Sequence, residues 1–378
     1  MKKSYIYILI IVLMITLVVI NQKKDNKSFV VDRVRYFTSL DGNSVDSFPS
    51  KGNYEVEVNC TNAKGSWNYS KWIARINNIT GKVSCNISFT SKTPSSISDY
   101  IKGLAGTEQG TGQVVNENGY RYEGKNPNNY IYFNDELWRI IGIFDSSSHG
   151  KTGEYLTKII RNDSLGGHAW DKSGKSDWAT SSLYNLLNTN YYNATDGTNE
   201  GNCYFYSTTI TGNCNYTETG LQSEYRNMVE NVTWYLGGKD IIRHTAEEFY
   251  TGERDSTSVC NGNTASITGY IGLMYVSDYG YSVLSSSCAR TTNLDSYNTN
   301  DCGGSTWLYK DTSVWTITHS NSGCDYGDLF VINFDSQISS MIAYYGFVTR
   351  PVLYLKSNVQ VYAGDGSISK PYQIKLAS

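Results

Sequence analysis

The sequence predicts an α+β protein in which a mostly antiparallel domain follows a small β-sandwich and an N-terminal transmembrane helix. Three observations support this prediction. An apolar run occupies residues 5–20, apolar and polar residues alternate along residues 31–92, and residues 119–378 place helical periods between strand-like segments at both ends. Strands gathered at the two ends of a domain, with helices between them, are typical of α+β proteins.

The N-terminal apolar run is interpreted as a membrane anchor. Two lysines precede it and only Thr16 interrupts it. As a helix it is about 24 Å long, which spans a hydrocarbon core of about 30 Å when its polar ends snorkel. The alternative is a cleavable signal peptide, but the run lacks the small residues of a cleavage site. We therefore predict an uncleaved anchor over residues 1–22, a polar stalk over residues 23–30, and a single-pass protein of the cell membrane.

Eight cysteines follow the anchor, and no two of them have the C-x-x-C spacing of a zinc or thioredoxin-like site. Their even number predicts structural disulfides in an oxidising exterior, which places the C-terminal part of the chain outside the cell. The alternative is free buried thiols in a reducing compartment. We expect Cys60 to pair with Cys85, and Cys203 with Cys214 in a stapled hairpin. The other four can pair in three ways: Cys260, Cys288, Cys302 and Cys324.

The composition is polar but weakly charged, with 18% charged residues and a net charge of −3 at pH 7. The chain has no stripe of basic residues, so nucleic acid is not an expected partner. Tyrosine and tryptophan are abundant, with 32 and 8 residues respectively. Aromatic residues favour strands, and they also form recognition surfaces for sugars and protein partners.

Clusters of Gly, Asn, Ser and Pro divide the chain beyond the stalk into three parts. Residues 31–92 are expected to form a small immunoglobulin-like β-sandwich, with Trp67 and Trp72 between its two cysteines. Residues 93–118 are expected to be a linker or a pair of short helices. Residues 119–378 are expected to form the larger α+β domain.

Apolar periodicity predicts the elements of the larger domain. The expected strands are residues 130–133, 137–144, 156–161, 271–276, 313–318, 329–334, 339–344 and 352–355. Thr180–Ser182 caps an amphipathic helix with leucines on one face. Residues 223–235 are a second helical candidate, and the capping-box spacing of Thr245 and Glu248 predicts a third helix.

An ordered series of motifs over residues 119–375 resembles a known family. The series comprises Gly119–Tyr130, Glu136–Gly142, Trp178–Leu183, Leu187-Asn188, Leu273–Tyr281, Trp307-Leu308, Val314-Trp315, Arg350–Lys356, Gly364–Ser367 and Pro371-Tyr372. It resembles uncharacterised surface proteins of low-GC Gram-positive bacteria that carry a domain of unknown function.

The resemblance implies a C-type-lectin-like fold, a class that includes the formylglycine-generating enzymes. Fold similarity does not by itself carry function. The cysteines do not match the copper-holding cysteines of that enzyme branch. The N-terminus also lacks the prepilin pattern Gly-Phe-Thr-Leu-Ile-Glu that precedes this domain in some members.

No catalytic motif is present in the sequence, so an enzyme is not the favoured interpretation. The four histidines lack metal-binding spacing, and there is neither a Gly-x-Ser-x-Gly elbow nor a phosphate-binding glycine loop. No metal and no cofactor is predicted. Side-chain oxygens in residues 293–301 suit calcium, but their spacing is not that of an EF-hand, and a solvated loop pinned by a disulfide is the favoured interpretation.

Six residues are predicted to contact a ligand: Asp278, Tyr279, Tyr281, Trp307, Trp315 and Tyr345. A core role is the alternative for each tryptophan, whereas an exposed ring would suit stacking on a sugar or a peptide. The resulting hypothesis is a membrane-anchored extracellular adhesion protein that binds a glycan or a surface protein without catalysis. The alternatives are a cell-envelope glycan hydrolase, with carboxylates paired only in space, and a structural subunit of the envelope or of a pilus.

Overall fold

The computed structural model describes eight segments of the chain. They are residues 34–50, 54–69, 71–194, 197–206, 210–298, 302–308, 310–322 and 328–377. The chain forms two compact units, Met1–Ser91 and Lys92–Ser378. The predicted anchor over residues 1–22 and the stalk lie outside the described segments. Within those segments, no helix is long and apolar enough to cross a membrane.

The described part of the first unit is built from strands. They are β1 (Val34–Leu40), β2 (Asn43–Val45), β3 (Tyr54–Thr61), β4 (Lys64–Asn68), β5 (Ile73–Asn77) and β6 (Val83–Ser91). A sheet has the order β2-β1-β6-β3, and β4 pairs with β5. β1 runs parallel to β6, from the pair Val34 and Val83 to the pair Leu40 and Phe89, whereas β3 is antiparallel to β6.

Aromatic rings and one disulfide fill the core of the first unit. The ring of Trp67 lies edge-on to Phe89 at 5.1 Å and edge-on to Trp72 at 5.2 Å. Cys60 and Cys85 stand directly opposite each other in β3 and β6, and they form the predicted disulfide. Alternate residues of β6 are buried, as the period-two pattern of this segment predicts.

A nine-stranded sheet forms one part of the second unit. Its strands are β7 (Ser95–Ser96), β8 (Thr111–Asn116), β9 (Tyr120–Asn126), β10 (Tyr130–Phe133), β11 (Glu136–Phe144), β12 (Leu156–Arg161), β23 (Val352–Leu355), β24 (Val359–Ala363) and β25 (Tyr372–Leu376). The order among the described residues is β23-β12-β11-β10-β25-β24-β7, with β9 beside β11 and β8 beside β9. Residues 93–118, expected to be a linker or a pair of short helices, contain one short helix, Ile97–Lys102, and contribute β7 and β8 to this sheet.

A second sheet and two strand pairs complete the described strands. The sheet contains β13 (Gly167–Ala169), β17 (Gly238–Lys239), β19 (Val314–Ser320), β20 (Asp328–Ile332), β21 (Ile338–Ile342) and β22 (Gly346–Val348). Its order is β13-β22-β19-β20-β21, with β17 beside β19. The pairs join β14 (Glu200–Tyr206) to β15 (Ile210–Asn215), and β16 (Val232–Tyr235) to β18 (Ser266–Gly269).

The helices of the second unit are short. They are α1 (Ile97–Lys102), α2 (Ser146–His149), α3 (Ser182–Asn185), α4 (Ser223–Arg226), α5 (Ala246–Arg254) and α6 (Val276–Ser282). A π-helical stretch, Leu186–Tyr191, continues α3, and 3-10 turns occur at Trp178–Thr180, Leu294–Ser296 and Cys302–Ser305. The predicted capping box is present, because Thr245 and Glu248 exchange side-chain and backbone hydrogen bonds at the start of α5.

The structure corrects the predicted fold class. The protein is mostly β, with 42% strand and 16% helix, instead of α+β. One reason is the short length of the helical candidates. Residues 223–235, expected to be one helix, divide into α4 and the strand β16, since Val232, Thr233 and Trp234 favour a strand and pair with β18.

Disulfides close loops in the second unit. Cys203 and Cys214 join β14 to β15, which confirms the predicted stapled hairpin. Cys288 and Cys302 form a further bridge, one of the pairings that the sequence left open. Cys260 is also disulfide-bonded, while Cys324 lies outside the described segments.

Candidate functional site

Five of the six predicted ligand residues are buried. Asp278, Tyr279, Tyr281, Trp307 and Trp315 are each at most 4% exposed. The sixth residue, Tyr345, is partly exposed. A buried ring does not present its face to a ligand in solution, so burial favours a core role for the four aromatic residues, and the ligand contact of all six residues stays a prediction.

The two tryptophans have the core role that was the alternative for each. The Nε1–H group of Trp307 donates to the carbonyl oxygen of Tyr122 at 2.9 Å, and that of Trp315 donates to the carbonyl oxygen of His168 at 2.8 Å. Each indole therefore has its polar partner inside the protein, which is the usual arrangement of a buried tryptophan.

Asp278 lies in a buried ionic group with Arg121 and Lys158, which we call the Asp278 cluster. Asp278 is in the first turn of α6, where its Oδ2 accepts the backbone N–H of Tyr275 at 2.9 Å. Arg121, in β9, donates from Nη1 to Oδ1 at 3.0 Å, and Lys158, in β12, pairs with Oδ2. The carboxylate thus joins one helix to two strands.

Aromatic rings surround the cations of the Asp278 cluster. The Nζ atom of Lys158 lies 4.4 Å from the ring centroid of Tyr275, and the guanidinium carbon of Arg121 lies 4.5 Å from that of Phe144. Burial lowers the pKa of Lys158 to about 8, although Asp278 opposes this shift. Burial alone would raise the pKa of Asp278, but the charges of Lys158 and Arg121 outweigh burial and hold it below its ordinary value.

A second buried carboxyl group, that of Glu253, lies in α5. Its Oε1 accepts the backbone N–H of Ser277 at 3.0 Å and the hydroxyl of Thr318 at 2.8 Å, and burial raises its pKa. Paired carboxylates are the feature that a glycan hydrolase needs. Asp278 and Glu253 do not supply it, because each is at most 1% exposed and is bonded to groups of the protein itself.

Accessible aromatic side chains collect instead around β22. Tyr344, Tyr345 and Phe347 are partly exposed, and Phe205, in β14, is 39% exposed. We call these four residues the aromatic surface. The ring centroids of Tyr344 and Tyr345 are 5.0 Å apart, and those of Tyr345 and Phe347 are 6.4 Å apart. The one predicted ligand residue that stays accessible, Tyr345, has ring contacts with both Tyr344 and Phe347.

Buried rings support the aromatic surface from below. Phe347 packs edge-on against Trp315 with 4.9 Å between ring centroids, and Phe205 stacks on His168 at 6.0 Å. Trp315 and His168 are both at most 2% exposed. Burial lowers the pKa of His168 to about 4, so the imidazole beneath Phe205 is neutral at neutral pH.

Backbone contacts hold the two parts of the aromatic surface together. A Cβ atom at Gly346 would lie 2.5 Å from the carbonyl oxygen of Phe205, so only glycine allows β22 to pass this close to β14. The Cys203–Cys214 disulfide closes the hairpin that carries Phe205. The ring of Phe205 is therefore presented from a cross-linked strand instead of a free loop.

The loop over residues 171–177 borders the aromatic surface. A Cβ atom at Gly174 would lie 3.2 Å from the ring of Tyr344. The backbone N–H of Asp171 donates to the carbonyl oxygen of Ala343 at 3.0 Å, and its carboxylate accepts backbone N–H groups of the loop at 2.8 and 3.3 Å. Asp171 thus fixes the loop, which carries the exposed polar residues Lys172, Ser173 and Lys175.

The described segments contain no group of three or more His, Cys, Asp or Glu side chains that can hold a metal ion. In the segment that suited calcium, the carboxylate of Asp295 lies 3.4 Å from the guanidinium of Arg243. Residues 299–301 of that segment lie outside the described residues.

No family model, no curated protein and no solved structure matches this chain. The resemblance to surface proteins of Gram-positive bacteria, and to the C-type-lectin-like fold, therefore stays a prediction from the sequence motifs.

Proposed function

We propose that this protein is a non-catalytic binding protein of the cell exterior, and that the aromatic surface recognises a glycan. The observation that supports this proposal is the arrangement of Phe205, Tyr344, Tyr345 and Phe347 as partly exposed rings on a cross-linked scaffold. Sugars present apolar C–H faces that pack on aromatic rings, while tyrosine hydroxyl groups add hydrogen bonds.

Polar side chains next to the rings suit the hydroxyl groups of a sugar. Lys172, Ser173 and Lys175 are exposed on the loop that borders Tyr344. Binding sites commonly combine apolar and aromatic walls with a few polar groups that fix the orientation of the ligand. The disulfides support a location outside the cytoplasm, because such bonds persist in oxidising compartments.

The proposal is tested by binding of the full, oxidised chain to an array of bacterial and host glycans. Saturable binding is expected. Tyr345→Ser and Phe205→Ser should each weaken it by about tenfold or more, because burial of one aromatic ring contributes about 1.5–3 kcal/mol.

Tyr155→Ser is the matched control, since Tyr155 is 43% exposed and lies outside the aromatic surface. This variant should bind as the unchanged protein does. If the folded protein bound none of the glycans on the array, the glycan proposal would be contradicted. Equal losses in Tyr345→Ser and Tyr155→Ser would contradict the assignment of the site.

A further inference from the structure

The Asp278 cluster brings a lysine amine and a carboxyl group into direct contact in the interior of the second unit. Lys158 and Asp278 are 120 residues apart in the sequence, and the exposed fractions of their side chains are 1% and 0%. Lys158 is in β12, which lies between β23 and β11 in the nine-stranded sheet, and Asp278 is in the first turn of α6. Both groups are therefore held by regular secondary structure.

Aromatic side chains separate the amine of Lys158 from water. Its Nζ atom is surrounded by aromatic rings, with centroids at 4.4 Å for Tyr275, 5.6 Å for Phe144, 5.6 Å for Tyr354 and 5.8 Å for Trp234. These rings exclude water from the ammonium group. A desolvated lysine is a recognised nucleophile toward carbonyl carbon atoms.

Arg121 and a backbone N–H group fix the two oxygens of the Asp278 carboxylate. Arg121 donates from Nη1 to Oδ1 at 3.0 Å, which places a fixed positive charge at the atom that would become an oxyanion. The backbone N–H of Tyr275 donates to Oδ2 at 2.9 Å, on the oxygen that also contacts Lys158. The two oxygens therefore have different partners.

We propose that Lys158 and Asp278 condense to form an intramolecular amide bond. Nζ bonds to Cγ of Asp278, and the bond from Cγ to Oδ2 breaks. The ammonium group of Lys158 gives up two protons, and Oδ2 takes both and leaves as water. The ion pair supplies every atom and proton, so the reaction needs neither an oxidant nor a co-reactant.

The buried setting favours this condensation in two ways. The fixed geometry makes the reaction intramolecular, which removes much of the entropic cost of joining two groups. The product also removes two opposite charges from an interior of low dielectric constant, where their desolvation is costly. Arg121 then donates to the amide oxygen that Oδ1 becomes.

Peptide mapping of the full chain tests the proposal. After reduction of the disulfides, trypsin should leave Lys158 uncut, because its side chain no longer carries a free ammonium group. The segment 152–161 should appear joined to the segment 255–290, since neither contains another internal lysine or arginine. The mass of this branched peptide should be the sum of the two segments less one water molecule.

Lys158→Met keeps an apolar stem and removes the amine, and its segment 255–290 should be recovered as a linear peptide. Lys102 and Asp99 form the matched control pair at the surface, with Nζ and Oδ1 2.8 Å apart, and their peptides should be linear. Recovery of linear peptides around Lys158 and Asp278 from the unchanged protein would overturn the proposal. That measurement needs no folded variant, and it does not depend on the ligand of the aromatic surface.

Discussion

The Asp278 cluster and the aromatic surface belong to the same unit and are both rich in aromatic rings, yet they differ in what those rings contact. In the cluster, rings of Phe144, Tyr275 and Tyr354 enclose cations inside the protein. At the aromatic surface, Tyr345 and Phe205 retain accessible faces. An aromatic cluster therefore indicates a binding site only when its rings are accessible.

The largest effect on stability is expected from removing the carboxylate at the centre of the cluster. Asp278→Ala leaves Lys158 and Arg121 buried without a carboxylate partner and also prevents the proposed amide bond, so the free energy of unfolding should fall by at least about 3–5 kcal/mol. Denaturant unfolding, followed by tryptophan fluorescence, measures this change. Asp99→Ala is the control, because its partner pair is at the surface and contributes less than about 1 kcal/mol. Equal costs for the two variants would show that the cluster has no special role in stability.

Opening the hairpin beneath the aromatic surface should have the next largest effect. Replacing Cys203 and Cys214 together by serine removes a bridge with a sequence separation of 11 residues. The chain-entropy model gives a cost of about 3 kcal/mol for a loop of this size. Glycan binding should weaken as well, since Phe205 loses its fixed strand. The double replacement of Cys288 and Cys302 is the control, and it should lower stability but leave glycan affinity unchanged.

A smaller effect on stability is expected from lowering the pH. Burial lowers the pKa of His168 from 6.5 to about 4, so the unfolded chain binds more protons than the folded chain between these pH values. Stability is then full above about pH 6.5 and falls as the pH drops toward about 4. His168 should account for about 2 kcal/mol of the stability lost between about pH 7 and 4.5. Burial also lowers the pKa of His319 to about 4, so this histidine should add to the loss.

The matched measurement compares unfolding free energies of the unchanged protein and of His168→Gln at both pH values. The variant should lose about 2 kcal/mol less on acidification than the unchanged protein does, whatever its absolute stability. An unchanged pH dependence in His168→Gln would contradict the buried, neutral imidazole beneath Phe205.

The smallest effect on stability is expected at the aromatic surface itself. Tyr345→Ser should change the free energy of unfolding by less than about 1 kcal/mol, because its ring is partly in water already. The same change should weaken glycan binding by about tenfold or more. Thermal unfolding and binding titration on one sample separate the two effects. A large loss of stability would assign Tyr345 to the core instead.

Local patterns predicted several elements of this fold. The apolar segment over residues 137–144 predicted β11 close to its observed bounds, and the spacing of Thr245 and Glu248 predicted the start of α5. The ten residues between Cys203 and Cys214 gave a hairpin. These patterns are local, because each depends on neighbours in the same strand, turn or helix.

The candidate site could not be predicted in the same way, because exposure is set by contacts between distant segments. Trp307 and Trp315 lie on either side of a predicted turn. Nothing in that local pattern indicates that the carbonyl oxygens of Tyr122 and His168 accept their indole N–H groups. Phe205 was not among the predicted ligand residues, since the position of its strand depends on the close approach of Gly346, which is distant in the sequence. Tyr345 is among the predicted ligand residues, a role that stays a prediction, and its aromatic neighbours in Tyr344-Tyr345-Gly346-Phe347 were the sequence signal for this surface.

The parallel pairing of β1 with β6 has a mechanical consequence. A pulling force applied to the chain before Val34 and after Ser91 would act along these two strands in opposite directions. Their hydrogen bonds would then be sheared together, each carrying part of the load, instead of opening one at a time as in a peeled hairpin. If the strands did separate, the bridge between Cys60 and Cys85 would keep the intervening chain from extending. The first unit would therefore resist tension along the chain by shear of the β1–β6 pair.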